Sequence, residues 1–451
     1  MDSSAATAIV ARPGRGFLDM STYQWTVLFA AWLGWGFDVF DALLFNYVAP
    51  NCVPALLHLQ IGSPEAKAAT LRYTGIITSL LLIGWGAGGI LFGRVCDRIG
   101  RSKTLVLTMA VYALGTAACA VAPSIGVLIL FRAIASLGIG GEWAAGAAMV
   151  AEVVPEKRRV EAGALLYTAA PMGLFLAARV TYFVQGVVLP GSPEVAWRYV
   201  FLCGLIPAAV AFAVRLAIRE PERWKSTADT APARISELFS RTLRRTTLSG
   251  LALAVVALTA WWSCNAFIGI VATGLAGTQA SALHLDPAAS QTLAQEWIRF
   301  ANDLFIVGTL IGALLAIPMA KRWGRKAMFA AYFSLAAASI LGTFGLDLPP
   351  HGRLIGYLFI GAGASGIFSA FTFYLPELFP TRLRGTGSGF CYNAGRFVAA
   401  VGPPIVGGVA SLGQDALATA MSMLSWVGLV PLAGLLLLPW ITETKDRELL
   451  D

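Results

Sequence analysis

Charged side chains are scarce in this sequence. Of its 451 residues only 13% are charged and 57% are hydrophobic, whereas a soluble globular protein carries roughly a quarter charged residues. The shortage excludes an ordinary soluble domain. Apolar runs of about 20 residues, each long enough to cross a hydrocarbon core of about 30 Å, recur along the chain instead. The sequence therefore predicts an all-α membrane protein.

Residues suited to metal binding or covalent catalysis are also few. The chain has three histidines and six cysteines, and the cysteines are scattered without any CxxC spacing. It contains no nucleophile–base constellation and no phosphate-binding loop of the GxxxxGK[ST] type. We therefore expect no metal, no cofactor and no enzymatic activity, and an ion gradient rather than ATP as the source of energy.

The apolar runs predict twelve transmembrane helices, separated by loops that carry charge, proline or both. They lie near residues 24–50, 73–95, 104–122, 125–149, 161–187, 197–218, 247–275, 296–319, 327–346, 353–376, 386–411 and 415–441. Residues 219–246 form the one long polar stretch, between the sixth and seventh spans. We predict a cytoplasmic linker there, joining an N-terminal six-helix half (1–218) to a C-terminal one (247–451). Residues 234–239 within it predict a short interfacial helix.

Basic residues exceed acidic ones by 33 to 25, which gives a formal net charge of +8. Lys and Arg fall mainly on alternate loops and on both termini, as the positive-inside rule requires of a multi-pass protein with cytoplasmic termini. The basic excess therefore sets orientation and contacts the anionic lipid of the bilayer, and we expect no nucleic-acid partner. We expect a monomer in the plasma (cell inner) membrane.

Two motifs recur at one offset. Residues 93–103 (GRVCDRIGRSK) return in degenerate form about 224 residues later as residues 320–326 (AKRWGRK). Residues 152–158 (EVVPEKR) are echoed about 225 residues on by residues 377–384 (ELFPTRLR). Two motifs at one offset indicate an internal duplication of a membrane-embedded half. Such repeats, with a site between them, are the usual construction of secondary transporters.

The same stretches resemble a known family. Residues 93–101 resemble the G-x-x-x-D-x-x-G-R signature of the major facilitator superfamily, and residues 320–326 resemble its second-half counterpart. Residues 220–224 (EPERW) are similar to the end of the sixth helix in its sugar-porter branch. Arg132 with residues 138–143 (GIGGEW) resembles the fourth helix of that branch and of the organic-acid/proton symporters. The resemblance implies two pseudo-symmetric halves that work by alternating access.

Two further stretches resemble particular organic-acid groups. Residues 38–41 (DVFD) resemble the D-G-[FY]-D signature of aromatic-acid and of lactate- or sialate-type proton symporters, with Val39 in place of the usual Gly. Residues 392–396 (YNAGR) resemble the eleventh helix of the same groups. The resemblance implies proton-driven uptake of a small organic anion.

The resemblance also implies a gate at the cytoplasmic face, where the first motif latches the outward-open state in the family. A purely topological anchor is the alternative. Glu142 is expected to pack helices near the gate, and Glu152 and Glu377 to pair with basic residues. The residues expected to act in gating are Asp97, Arg101, Glu142, Glu152, Arg325 and Glu377.

An ionisable side chain inside a span costs free energy unless it is paired or hydrated. Asp41 lies about eight residues from the outer end of the first span, and Arg132 lies about eight residues from the outer start of the fourth. At 1.5 Å per residue both are about 12 Å deep, which allows them to meet. Asp38, one turn deeper, is the alternative partner. In the sugar/proton symporters that the chain resembles, such a pair is the proton switch; the alternative is a static ion pair.

Arg396 lies near mid-membrane and has no acidic residue in its own helix. Its planar guanidinium suits a carboxylate ligand, so we expect it in the substrate site. Arg299 lies between Glu296 and Asp303 on one helix face, and either a self-contained ion pair or a carboxylate-binding site fits that spacing. The candidate substrate-binding residues are Arg396, Asn393, Tyr392, Arg299, Asp303, Arg179, Asn265 and Trp262.

The sequence thus predicts proton-coupled symport of an aromatic or aliphatic monocarboxylate. Arginines within the spans favour an anion over a cation. A sugar or polyol symporter is the first alternative, and it would keep the Asp41–Arg132 pair but be indifferent to Arg396. A drug or metabolite exporter and a multispan receptor or membrane enzyme are less favoured.

Overall fold

The structure is a computed structural model that describes residues 20–99, 101–154, 158–205, 209, 213, 234–380 and 383–445. The helices of the first half are α1 (Thr22–Leu56), α2 (Pro64–Ile99), α3 (Arg101–Cys119), α4 (Ile125–Val153), α5 (Arg159–Tyr167), α6 (Ala169–Thr181) and α7 (Pro193–Cys203). Those of the second half are α8 (Arg244–Asn265), α9 (Ile268–Ala282), α10 (Pro287–Arg322), α11 (Arg325–Gly345), α12 (Pro350–Glu377), α13 (Arg384–Ala399), α14 (Gly402–Leu412), α15 (Ala416–Val427) and α16 (Leu429–Leu437).

These helices form the twelve predicted spans, and the predicted fold is confirmed. Among the described residues, nine helical segments are long and apolar enough to cross a membrane. The shorter apolar segments Lys103–Cys119 and Ile125–Gly141 and the helix α7 supply the other three. Span 5 consists of α5 and α6, span 7 of α8 and α9, span 11 of α13 and α14, and span 12 of α15 and α16.

Short polar side chains begin several of these helices. Ser21 accepts a hydrogen bond from the Gln24 backbone N–H, and the Gln24 side chain accepts one from the Ser21 backbone, a capping box that starts α1. Asp286 caps α10 by accepting a hydrogen bond from the Ala289 backbone N–H, with Pro287 at the first helical position. Asp415 caps α15 through the N–H groups of the first turn.

The internal duplication is visible in how the helices pack. Span 2 packs along span 4 in the first half, as span 8 packs along span 10 in the second, and span 1 packs on span 5 as span 7 packs on span 11. Glycines permit this close approach: a Cβ on Gly140 would collide with the carbonyl oxygen of Trp85, and one on Gly308 with that of Leu358. Small residues at such positions let helix backbones approach in lipid.

The two halves meet along several pairs of spans. Span 2 (α2) packs on span 11 (α13 and α14), span 5 (α6) packs on span 8 (α10), span 1 (α1) packs on span 7 (α9), and α5 also contacts α12 and α10. Because spans 2 and 8, and spans 5 and 11, are equivalent in the repeat, the first two pairs are related by the same pseudo-symmetry. A site between the halves is therefore lined by spans 1, 2, 5, 7, 8 and 11.

Three of the spans that face this interface are interrupted. Span 7 breaks after Asn265, and span 11 breaks at Ala400 and Val401, just before the sequence Gly402-Pro403-Pro404. Proline lacks the N–H that a continuous helix needs. Span 5 ends in a π-helical turn at Tyr182–Val188, a geometry found often at functional sites.

The predicted interfacial segment of the linker forms a 3-10 helix at Ile235–Phe239. Leu238 is buried, whereas Ile235 and Phe239 are exposed. Helix α8 begins at Arg244, slightly before the predicted boundary of the second half. The linker residues before 234 lie outside the described residues, so the division into 1–218, 219–246 and 247–451 stays a prediction.

Candidate functional site

Arg396 of span 11 lies at the interface between the halves, against Trp85 of span 2, and is only 3% exposed. Its Nη1 atom donates a hydrogen bond of 2.6 Å to Oδ1 of Asn393. Its guanidinium carbon lies 4.3 Å from the ring centre of Trp85 and 4.4 Å from that of Tyr392. The buried Nε donates to no acceptor in the described part of the chain.

Within the described ranges the cation is therefore held by the side-chain oxygens of Asn393 and Tyr392 and by two aromatic faces. Among the described residues no carboxylate lies within ion-pair distance of Arg396, although Asp38 on α1 lies within its electrostatic range. A buried charge without a close counter-charge is expensive. The arrangement can accept an anion with little rearrangement.

Aromatic rings from both halves surround this cation. Trp85 meets Trp262 edge to face at 5.9 Å, and Trp262 meets Trp261 at 4.8 Å. On the other side, Tyr392 meets Phe368 at 6.2 Å and Phe371 at 6.3 Å. Such rings exclude water, which strengthens the electrostatic interactions of the guanidinium, and they offer faces on which a planar ligand can stack.

Asn265 adds unused hydrogen-bonding capacity to the site. It is the last residue of α8, one turn beyond Trp262 at the break of span 7. Its side chain is 1% exposed, and neither its amide nitrogen nor its oxygen has a hydrogen-bond partner within the described ranges. A buried amide with no partner costs free energy, so a polar group of a ligand is a natural partner.

Asp41 and Arg132 meet, as their equal depth allows. The distance between Arg132 Nη1 and Asp41 Oδ1 is 3.8 Å, and both side chains are buried. Arg132 Nη2 also donates to the backbone oxygens of Asp41 at 3.2 Å and Ala42 at 2.9 Å, and Nη1 donates to Thr116 at 3.4 Å. The main chain of α1 thus holds Arg132 in place, while the carboxylate of Asp41 is held only loosely.

The spacing of Glu296, Arg299 and Asp303 does not produce an ion pair within that helix. Asp303 instead accepts from Nη2 of Arg179, on span 5, at 2.8 Å to each carboxylate oxygen. Arg299 lies over the ring of Tyr182 at 4.6 Å, and Glu296 is exposed. The self-contained pair is therefore wrong, because both carboxylate oxygens of Asp303 accept from one guanidinium nitrogen of Arg179 across the interface.

The Arg179–Asp303 pair joins the two halves on the outer side, so it has to break when that side opens. Asp303→Asn is expected to increase the outward-open population by up to about fivefold, since a partly exposed pair contributes at most ~1 kcal/mol. Glu296→Gln, which removes an exposed carboxylate from the same helix, should change nothing. Distances between spin labels at Gly191→Cys and Ala288→Cys report the opening; equal distributions in both variants would contradict the assignment.

At the cytoplasmic side of the second half, Arg325 and Glu377 form a bidentate pair. The distance from Nη2 to Oε1 is 2.7 Å and that from Nε to Oε2 is 3.2 Å. Thr444 also donates to Glu377 at 2.5 Å. The two motifs of the second repeat are thereby joined. In the first repeat the corresponding positions are Arg101 and Glu152.

Four of the predicted gating residues have side chains outside the part of the chain that the structure describes: Asp97, Arg101, Glu142 and Glu152. Their roles stay predictions. The structure does give one cytoplasmic contact between the halves that the sequence analysis missed, from Lys321 Nζ on α10 to Glu161 on α5 at 3.2 Å. Nothing in the spacing of these two residues indicates it.

Glu443 is a second residue that sequence reasoning missed. Its carboxylate accepts hydrogen bonds of 2.9 Å from the backbone N–H groups of Arg325 and Lys326, the first residues of α11. Burial raises the pKa of Glu443, but these and the N–H groups of Lys445 and Thr444 lower it, and the net pKa lies below its ordinary value. Glu443 therefore stabilises this face above the pKa of an unfolded glutamate, and the contribution is lost as the pH falls.

Comparison with known proteins places the chain among transporters. The chain is 30% identical over 427 residues to a probable 4-methylmuconolactone transporter of Cupriavidus pinatubonensis, covering 93% of this chain and 91% of the relative. It is 26% identical over 457 residues to the niacin transporter of Acinetobacter baylyi, covering 96% and 97%.

A solved structure supports the fold. The crystal structure of a D-xylose-proton symporter matches with a TM-score of 0.73 at 18% sequence identity, covering 95% of this chain and all of that one. The family model of the Major Facilitator Superfamily matches residues 21–294. The prediction of a transporter rather than an enzyme is therefore confirmed. The chain belongs to the Major Facilitator Superfamily and is a multi-pass membrane transporter of small molecules.

Proposed function

We propose that this protein is a proton-coupled symporter that takes up a small organic anion, an aromatic or aliphatic monocarboxylate. The observation that carries the proposal is Arg396: a buried guanidinium between the halves, with an undonated Nε and no carboxylate at ion-pair distance within the described residues. A substrate carboxylate would supply the missing counter-charge through bidentate hydrogen bonds.

The surroundings of Arg396 support an organic acid over a simple inorganic anion. Trp85, Trp262 and Tyr392 present apolar faces to the carbon skeleton, and Asn265 offers one amide for a further polar substituent. The relatives named for transport of 4-methylmuconolactone and of niacin support the same class. In this proposal the aromatic rings select the carbon skeleton of the substrate by stacking, and Arg396 selects its carboxylate by charge.

Two carboxylates on α1 are the proton carriers in this proposal. Asp41 lies beside Arg132, and Asp38, one turn deeper, lies within electrostatic range of Arg396. Protonating either aspartate removes one negative charge from the buried interface and so changes how strongly Arg396 attracts an anion. Proton and anion would then bind together and shift the same equilibrium between outward- and inward-facing states.

The remaining elements of the proposal follow from the topology. One chain supplies both halves of the interface, so a monomer is sufficient for transport. We place the protein in the plasma (cell inner) membrane with both termini in the cytoplasm, on the side of the Arg325–Glu377 cluster. Basic residues concentrate on that side, as orientation in the membrane requires.

Reconstitution tests the proposal. Purified protein in liposomes should accumulate at least one monocarboxylate, from a panel of aromatic and aliphatic acids and neutral sugars, when the outside is more acidic than the lumen. A protonophore should abolish the accumulation without affecting exchange of labelled for unlabelled substrate. Accumulation of a neutral sugar but of no carboxylate would overturn the anion assignment, and accumulation that ignores the pH gradient would overturn the coupling.

A further inference from the structure

A groove of about 470 Å³ lies on the outside of the second half, away from the interface between the halves. It lies between the cytoplasmic part of span 7 and the cytoplasmic end of span 12. Every residue along it is apolar: Leu248, Leu251, Ala252, Val255, Val256, Ala433, Leu437 and Trp440.

The groove runs parallel to the helix axes. On α8 its residues Leu248, Leu251, Ala252 and Val255 follow i, i+3, i+4, i+7 spacing, a single stripe on one helix face. From Leu248 to Val256 the stripe rises about 12 Å. A water molecule finds no hydrogen-bond partner there, whereas a lipid acyl chain, which lies along the membrane normal, fits both the direction and the polarity of the groove.

The stripe ends in arginines at its cytoplasmic end. Arg244 and Arg245 precede Leu248 by four and three residues, so they lie on the same face one turn nearer the cytoplasm. Both are exposed, and within the described ranges neither forms an ion pair or a side-chain hydrogen bond. Trp440 lies at the same end of the groove and is 39% exposed, as is typical of tryptophan at the membrane–water interface.

We propose that this groove binds one anionic phospholipid from the cytoplasmic leaflet. An acyl chain fills the groove between α8 and α16, and the negatively charged phosphate of the headgroup contacts Arg244 and Arg245, with no ammonium group to offset its charge. The charge complementarity selects an anionic over a zwitterionic lipid, because the two guanidinium groups have no carboxylate partner among the described residues. The site is separate from Arg396, so it stands independently of the transported substrate.

Quenching by brominated lipids tests the site, with Trp440 as the reporter. The protein is placed in bilayer nanodiscs of phosphatidylcholine that contain matched fractions of chain-brominated phosphatidylglycerol or chain-brominated phosphatidylcholine. The Trp440 signal is the difference between the wild-type protein and W440F. Brominated phosphatidylglycerol should quench this signal several times more strongly than brominated phosphatidylcholine at the same fraction.

Matched variants separate the headgroup from the groove. R244Q/R245Q should lower the preference for phosphatidylglycerol by roughly fivefold per arginine, the factor that corresponds to ~1 kcal/mol for each basic residue near the membrane surface. R322Q, at an exposed arginine at the cytoplasmic end of α10, should retain the preference. A433F, which fills the groove, should reduce quenching by both lipids. Equal quenching by the two lipids in the wild-type protein, or a preference that survives R244Q/R245Q, would overturn the proposal.

Discussion

Replacing Arg396 with Ala is expected to abolish the binding of carboxylate substrates. Two charge-assisted hydrogen bonds from the guanidinium contribute roughly 1.5–3 kcal/mol each, so their loss weakens affinity by at least about a hundredfold. Arg396→Lys keeps the positive charge but loses the planar fork, and an affinity about tenfold lower is expected. Titration of the purified variants with the substrate found by reconstitution measures both effects.

The fold should survive these replacements. The described hydrogen bonds of Arg396 go to two side chains of its own helix, Asn393 and Tyr392, and removing a buried cation removes a desolvation cost. A monodisperse elution profile and a retained thermal transition provide the check. Arg299→Ala is the matched control, because that arginine lies over the ring of Tyr182, whereas Arg396 lies over the rings of Trp85 and Tyr392. Unchanged affinity in folded Arg396→Ala would move the anion site to Arg299 or Arg179.

Asp41→Asn is expected to abolish accumulation driven by a pH gradient while sparing exchange of substrate across the membrane. The amide cannot release a proton, but it leaves Arg132 bonded to the backbone oxygens of Asp41 and Ala42. The hydrogen bonds that hold Arg132 therefore persist, and only the ability of residue 41 to bind and release a proton is lost. Uptake and counterflow in the same liposomes distinguish the two properties.

Asp38→Asn is the companion measurement, because it lies one turn away on α1. If Asp38 is the carrier, its variant loses accumulation and Asp41→Asn keeps it. A second replacement at Arg132 should not restore accumulation in either case. Full accumulation by both single variants would show that neither aspartate couples transport to protons.

Helical geometry explains what the sequence could predict. Regular rise along a span places residues at equal depth, so Asp41 and Arg132 could be matched from their distances to the span ends alone. The internal repeat likewise identified Arg325 with Arg101 and Glu377 with Glu152 as equivalent positions in the two halves, and Glu377 is expected to pair with a basic residue, which is Arg325 in the structure. Arg396 stood out because its own helix offers it no counter-charge.

Contacts between distant segments could not be predicted in the same way. Periodicity placed Arg299 and Asp303 on one face of a helix, but it does not show which neighbouring helix supplies a partner for Asp303. In the structure that partner is Arg179 of span 5. Glu443 acts on backbone N–H groups of α11, which belong to no particular residue type. Such partners depend on how the spans are arranged around one another, and a single sequence does not specify that arrangement.

The breaks in spans 7 and 11 have a consequence for the cost of motion. Both spans run from the cytoplasm outward, and both divide into a longer inner helix and a shorter outer one, α9 and α14. The regular hydrogen-bond pattern is already interrupted at both breaks, because the N–H groups of Phe267 and Val401 donate to the carbonyl oxygens three residues back, those of Cys264 and Val398, instead of four. The outer helices α9 and α14 can therefore tilt about these breaks without the loss of a further turn of helix. The outer ends of spans 7 and 11 can thus move relative to the rest of the second half, which would not be possible if each half moved as one rigid body.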